Sequence, residues 1–290
     1  ETGENFSVVL SDSFRDMLEM ADDHYANYTK SQKSALGNVS KQYSASMIGW
    51  DIANTHHVRG GMWTSIDAAG FKAKLSVYKT YTSGLVIYNI ASGNYALTED
   101  VDLGNGRIRI QTGQTVSICL NGHNFKSSNS MFAPYGALNI CDCHKNGHEG
   151  TVLSSYSGES GCYAAIAYCR CNSVTNIYGG NFVATGKVTS AGMFAVSHDG
   201  PSTPDAPPAV MNMYGGTISG GSVYTNGGLI CVWNDGTFNM YGGELYGGTA
   251  EGRGGGIDVN NGILNIQGGK IYNCTSGTNG GAINCGTNAD

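Results

Sequence analysis

Proline, charge and long apolar runs are all scarce in this chain, and each shortage removes a class of protein. Five prolines in 290 residues, with no Gly-X-Y period, exclude a collagen-like triple helix. Sixteen lysines and arginines stand against 22 aspartates and glutamates, a formal net charge of −6. That balance gives no basic surface for tracking phosphates, so no nucleic-acid partner is expected. No run of roughly 18 apolar residues occurs, and the first residues do not form a signal peptide, so direct membrane insertion is not expected. No glycine-rich loop follows a strand and opens a helix in the way a nucleotide site requires.

Glycine, by contrast, is abundant: 44 residues, where a chain of this length would ordinarily hold roughly 20. Such enrichment disfavours long helices and suits many short strands joined by tight turns. The glycines are also ordered. VTNIYGG begins at Val174, VMNMYGG at Val210, TFNMYGG at Thr237 and ILNIQGG at Ile263, so that Asn176, Asn212, Asn239 and Asn265 occupy equivalent places. Separations of 36, 27 and 26 residues are too short for a propeller blade and fit one coil of a solenoid. Before each phrase lies an apolar strand and an Asn/Asp-Gly turn, as in Gly227 to Gly236 and Gly254 to Gly262.

Each unit therefore reads as strand, turn, strand ending in Gly-Gly, third strand and return turn, which is the coil of a single-stranded parallel β-helix. One coil cannot bury its inward side chains alone, but another coil about 4.8 Å above it supplies both strand pairing and like-on-like packing. The asparagines are expected to form a ladder, Phe238 and Met240 are inward candidates, and the paired glycines mark a corner where a side chain would obstruct the backbone. Asp199 to Pro208 is proline-rich, cannot continue a strand ladder, and is expected to project from a corner. The β-helix is expected over 83–290, its first coil starting between 83 and 95, with the last coil from Gly280 cut short and either the native chain continuing beyond Asp290 or its open end covered by another element.

Residues 1–82 differ in kind. Phe14, Leu18, Ala21, Tyr25 and Tyr28 recur at helical intervals within Asp12 to Leu36, with Ser11 or Ser13 as cap and Gly37 as stop. Ala73 to Tyr78 and Leu85 to Tyr88 read as strands. The segment is a partly helical N-terminal cap over the open end of the β-helix, or a small α+β module; the need to cover an open end favours the cap.

Three stretches carry a resemblance. GNYALTEDVDL from Gly93, QTVSICLNGHNF from Gln114 and LNICDC from Leu138, with the later Asn-(Ile/Met)-(Tyr/Gln)-Gly-Gly repeats, resemble pectate-lyase-like right-handed parallel β-helix domains of large cell-surface, adhesin-like proteins from gut-dwelling Gram-positive bacteria. The resemblance covers roughly residues 90–290. It implies an all-β, right-handed β-helix at a bacterial cell surface or secreted, and a host protein or glycan as partner. It carries no catalytic residue onto this sequence. Sequons at Asn5, Asn27, Asn38 and Asn273 suit an extracellular chain. Glu1-Thr2-Gly3 looks like the scar of an engineered secretion leader, which implies that the native leader and any anchor were trimmed.

The chemistry-bearing residues each have a plainer reading. Cys141-Asp142-Cys143-His144, with His148 nearby and further sulfur on offer from Cys169 and Cys171, has zinc-ligand types at nonstandard spacing. Small buried thiols, like those expected of Cys119, Cys231 and Cys285, fit better, so neither a metal nor a cofactor is expected. Nine cysteines leave at least one outside any intramolecular disulfide. His198, Asp199, Asp205 and Asp235 gather acids and an imidazole near one corner, yet Asn261 takes the equivalent place in the next coil, as turn chemistry predicts. Asp258 aligns with Val232 and so lacks a carboxylate neighbour in the coil before. Trp50, His56, His57, Arg59 and Trp63 could line a sugar or protein site. The expectation is a binding or adhesion ectodomain, monomeric or part of a larger surface protein. The alternative is a carbohydrate-active enzyme, a polysaccharide lyase or glycosidase, which would show acids and a base converging on one outward face.

Overall fold

A computed structural model describes residues 63–143, 149–158, 164–198 and 206–286. Short strands recur in a fixed order along the chain and pair in parallel with their counterparts one coil away. A complete coil runs through Phe194–Ser197, Val210–Met213, Thr217–Ser219 and Ser222–Val223 before returning to Ile230–Trp233. The four strand positions stack into sheets of nine, eight, seven and four strands, here sheets 1 to 4 in coil order. All pairings are parallel except that of Leu75–Thr80 with Val86–Ile90 at the start of sheet 1. This is a parallel β-helix.

Alternation decides what each strand buries. In Thr237–Met240 of sheet 2, Phe238 and Met240 are fully buried while Asn239 faces outward. Register then stacks like on like: Phe238 lies between Met211 and Leu264, and Met240 between Met213 and Ile266. Sheet 3 contributes Phe125, Val152, Phe182, Ile218 and Leu245 to the same core. At the last rung Ile266, inward by register, is 46% exposed.

The asparagine ladder is present and longer than the repeated phrase suggests. Asn265 donates through Nδ2 to Asn239 Oδ1, Asn239 to Asn212, Asn212 to Asn176 and Asn176 to Asn139, each at 2.8 Å, and Asn139 donates to Ser117 Oγ at 3.1 Å. The paired glycines serve as read from the sequence. Gly216, Gly243 and Gly269 hold φ of 81°, 84° and 92°, the left-handed region open chiefly to glycine. A Cβ on Gly242 would lie 2.5 Å from the Tyr214 carbonyl oxygen of the neighbouring coil.

The expected helix within Asp12 to Leu36 lies outside the described residues. Among those described, the one helix, α1 (Ala68–Ala73), replaces the start of the strand expected at Ala73, which instead spans Leu75–Thr80. Asp67 caps it by accepting from the Gly70 N–H at 2.6 Å. Its Phe71 is fully buried, edge-on to Tyr95 and Phe125 at centroid distances of 5.7 and 5.2 Å. Trp63–Ile66, just before it, pairs in parallel with Gly93–Leu97. No helix among the described residues is long and apolar enough to cross a membrane.

The corner between sheets 4 and 1 shows how tightly neighbouring residues are matched. Ala191, Gly227, Gly254 and Gly280 occupy equivalent places at φ of 71°, 69°, 63° and 64°. Under Ala191 the outward residue of sheet 1 is Ala195; under Gly227 it is Cys231. A Cβ on Gly227 would meet Cys231 Sγ at 2.2 Å and the Ile230 oxygen at 2.6 Å. Gly227→Ala should therefore cost about 2 kcal/mol or more, and adding Cys231→Ala should restore part of it, as paired thermal melts would show. Asn212→Ala leaves Asn176 Oδ1 and Asn239 Nδ2 unpartnered and should cost about 1–3 kcal/mol. Asn265→Ala, at the end of the ladder, should cost no more than about 0.5 kcal/mol in the same melts.

Candidate functional site

Of the residues singled out in the sequence, Trp50, His56, His57, Arg59, Asp199 and Asp205 lie outside the described residues. The other three do not meet at one site. Trp63 is half-buried on the outward side of sheet 2, packed on a small cluster of Ala96, Cys119 and Cys141. His198 and Asp235 sit together at the corner between sheets 1 and 2, where the His198 N–H donates to the Asn234 carbonyl at 3.1 Å.

Both corner residues are engaged in architecture. His198 Nε2 lies 2.6 Å from the Ala206 carbonyl oxygen, closing the base of the proline-rich excursion. The end of that excursion is tied a second time, since Pro207 accepts from the Asn172 N–H at 2.8 Å. Asp235, at φ 63°, donates its N–H to the Asn261 carbonyl at 2.6 Å and accepts from Asn261 Nδ2 at 3.4 Å. The column is a stack of tight turns, as the Asp-to-Asn exchange implies.

The cysteine motif divides across faces. Cys169 points into the main core, where burial raises its pKa to about 12, offset in part by the contact with Thr175 Oγ1 at 3.2 Å. Cys119 and Cys141 are adjacent in register but on the outward side of sheet 2, and Cys231 is on the outward side of sheet 1. All three are buried as expected, but in small clusters apart from the main core, whereas Cys285, also expected to be buried, is exposed in the last strand of sheet 1. The hydrogen-bonded Cys141 thiol, together with burial, holds Cys119 far above the ordinary thiol range, against a lowering contribution from Cys143. Asp142 accepts from the Gly122 and Gly150 N–H groups at 2.8 and 2.6 Å, so its carboxylate braces two backbone turns. No group of three or more metal-ligating side chains is placed to hold an ion among the described residues; His144 and His148 lie outside them.

Asp258 is a fully buried acid on the outward side of sheet 1. The expected alignment with Val232 is off by one residue. Asp258 pairs with Cys231, because the turn at Asn261-Gly262 is one residue shorter than that at Asn234-Asp235-Gly236. It accepts from Asn284 Nδ2 at 2.7 Å and faces Arg253 Nε at 3.9 Å, while its Oδ2 has no partner. Burial raises its pKa despite both neighbours. With 0% of the residue exposed, it cannot reach a substrate.

Sequence reasoning missed the outward columns. Two residues beyond the ladder asparagines, Tyr178, Tyr214 and Tyr241 stack with ring centroids 5.0 and 4.9 Å apart and planes within 8° and 9°. The signal was in the phrase itself, where Tyr follows Asn by two in three of four repeats. Burial, then the neighbouring Tyr214 and Cys141, pushes the Tyr178 phenol up to about 12. Sheet 3 carries a further stacked pair, Tyr246 and Tyr272, at 5.2 Å. On sheet 1, Arg109 lies over Tyr78 and Tyr135, and Arg170 over Tyr135 and Tyr168. No linear motif announces that group, because its members come from different coils.

No family model, curated protein or solved structure matches this chain. The reading of its function therefore rests on its own geometry.

The raised pKa of Asp258 gives a signed test. A carboxyl whose folded pKa exceeds its unfolded value costs stability as pH rises through that interval, since the folded state then holds the extra proton. Asp258→Asn keeps the acceptor for Asn284 and removes the charge. The variant should melt a few degrees above the parent at pH 7, and the gap should close as pH falls toward 4 in melts across that range.

Proposed function

We propose that this chain is a binding, adhesion-type ectodomain, a rigid solenoid that presents flat faces to a host protein, a glycan or a neighbouring cell. The observation that carries this reading is the outward side of sheet 2. There, asparagine amides from Asn139 to Asn265 and the rings of Tyr178, Tyr214 and Tyr241 run in two straight, uncharged columns. From Asn139 to Asn265 each rung is held to the next by backbone pairing and by a side-chain amide hydrogen bond, so the face is formed before a partner arrives. A preorganised surface loses little entropy on binding, and tyrosines offer large contact area with few rotatable bonds.

The placement of the acids supports the same reading. Hydrolysis or elimination on a polysaccharide needs an acid and a base converging on solvent. Here Asp235 closes a turn, Glu244 is engaged by Lys270 and Tyr272, Asp100 by Asn124 and Lys126, and Asp258 is buried. The resemblance to right-handed pectate-lyase-like domains of Gram-positive surface proteins adds the setting: an extracellular surface, with this chain a monomer or one segment of a larger protein.

A glycan array and a host-receptor array, probed in parallel, test the proposal. The wild-type chain should bind a restricted set of features, and the Tyr214→Ala/Tyr241→Ala variant should bind them at least about tenfold more weakly, a loss of roughly 1.4 kcal/mol. No binding on either array, or turnover of a polysaccharide by the wild type, would count against it.

A further inference from the structure

Two sets of cations on this β-helix contrast. Lys126, Lys187, Lys270 and Arg253 each face a carboxylate, with Lys270 reaching Glu244 on the adjacent strand of sheet 3 and Lys187 reaching Glu251 two coils on. Lys79, Arg109 and Arg170, on the outward side of sheet 1 toward its first rungs, face none among the described residues. Aromatic rings hold them instead. The Arg109 guanidinium carbon lies 4.7 Å from the Tyr78 centroid and 5.1 Å from that of Tyr135. That of Arg170 lies 5.8 Å from Tyr135 and 4.2 Å from Tyr168. Lys79 Nζ sits 4.5 Å over the Tyr81 ring.

A backbone irregularity makes this group possible. Leu75–Thr80 pairs with Val86–Ile90 through Val77 opposite Tyr88 and Lys79 opposite Ile87, leaving Tyr78 as the extra residue of a bulge. A bulge re-aims side chains. This one puts Tyr78, 55% exposed, over Arg109 while Lys79 keeps its place on the same face. The strand of Arg109 and that of Arg170 are separated by one intervening strand, Phe132–Pro134, hence about 10 Å along the solenoid axis at the usual strand spacing. Three unneutralised cations thus follow one another along a flat, aromatic-lined strip of a chain whose net charge is −6.

We infer that this strip, Tyr78, Lys79, Arg109, Tyr135 and Arg170, binds a sulfated polysaccharide. The inference rests on the binding reading above and names a ligand class for a face that reading does not use. Rings that hold a guanidinium by its faces leave its N–H donors for an anion; among the described residues the one competing contact is long, Arg109 Nη1 to Asn89 Oδ1 at 3.5 Å. Cations spaced over several rungs match a linear polyanion rather than one small ion. Guanidinium is weakly hydrated, and a sulfate ester gives up its water more readily than a carboxylate does. Tyr78, with an open face, can stack on a sugar ring.

The test compares chondroitin sulfate with hyaluronan, a polymer of similar backbone that has carboxylates but no sulfate, and with neutral dextran, by affinity electrophoresis or calorimetry at low ionic strength. The wild type should bind chondroitin sulfate, weaken as salt rises, and bind hyaluronan and dextran much less. Arg109→Gln/Arg170→Gln should lose at least about tenfold in affinity. Arg109→Lys/Arg170→Lys should also lose most of it, since charge is kept but the stacked fork is not. Lys79→Gln and Tyr78→Ala, at exposed positions, give smaller losses without risk to the fold, and thermal melts confirm that each variant is folded. The inference is overturned if the wild type ignores chondroitin sulfate, if the arginine variants bind as it does, or if hyaluronan binds equally through the same arginines. Binding on the arrays through Tyr214 and Tyr241, with no retention by chondroitin sulfate, would sink this inference alone. Arginine-dependent binding accompanied by depolymerisation would keep the strip and overturn the adhesive reading.

Discussion

Everything in this molecule depends on in-register parallel stacking of one coil on the next. Backbone hydrogen bonds between strands about 4.8 Å apart force each residue to lie beside its counterpart, so a choice made at one position is tested against the residue above and the residue below. Amides then meet amides in the Asn139 to Asn265 ladder, rings meet rings in the Tyr178 to Tyr241 column, and Met213 meets Met240 in the core. A mismatch costs twice, once on each side. That is why the repeat is visible at all in a chain that could otherwise tolerate any apolar residue inward.

The corners follow from the same constraint. A coil must turn sharply without pushing its neighbour away, and the backbone oxygens of that neighbour lie only 2.5 Å from where the Cβ of Gly242 would be. Contact requires glycine at Gly242, and a φ of 84° favours it at Gly243 next to it. The exception at Ala191 shows the rule: its Cβ is accommodated where the residue beneath is Ala195, while Gly227 stands over the larger Cys231. Where the coil is interrupted, at the excursion ending in Ala206 and Pro207, side-chain and backbone bonds from His198 and Asn172 close the gap so that the strands on either side keep their register.

Periodic features were legible in the sequence and non-periodic ones were not. The ladder, the inward Phe238 and Met240, the glycine corners and the Asn/Asp turns all recur in the chain, and repetition revealed them. Asn139 escaped because its coil lacks the Gly-Gly phrase, although Leu138-Asn139-Ile140 has the same apolar-polar-apolar pattern. The pairing of Asp258 with Cys231 escaped because aligning turn glycines hides a one-residue difference in turn length. Burial of Cys119, Cys141 and Cys231 was legible from residue type, but their place on the outward side of the sheets, in clusters apart from the main core, was not. The Arg109 and Arg170 strip was illegible for a deeper reason: its partners are brought together by stacking of dissimilar coils and by a bulge that no local pattern marks.

The functional reading follows from the same source, since stacking that aligns residues also makes flat, preformed faces. If the ladder is the lock that keeps the outward side of sheet 2 straight, its amide protons must be held in place in solution. Hydrogen exchange of asparagine side-chain amides, followed by NMR, measures this directly. The account predicts that Asn176, Asn212 and Asn239 each show one slowly exchanging Nδ2 proton, the one donated to the coil before, and one fast proton. Equally rapid exchange of both protons on all three residues would contradict it.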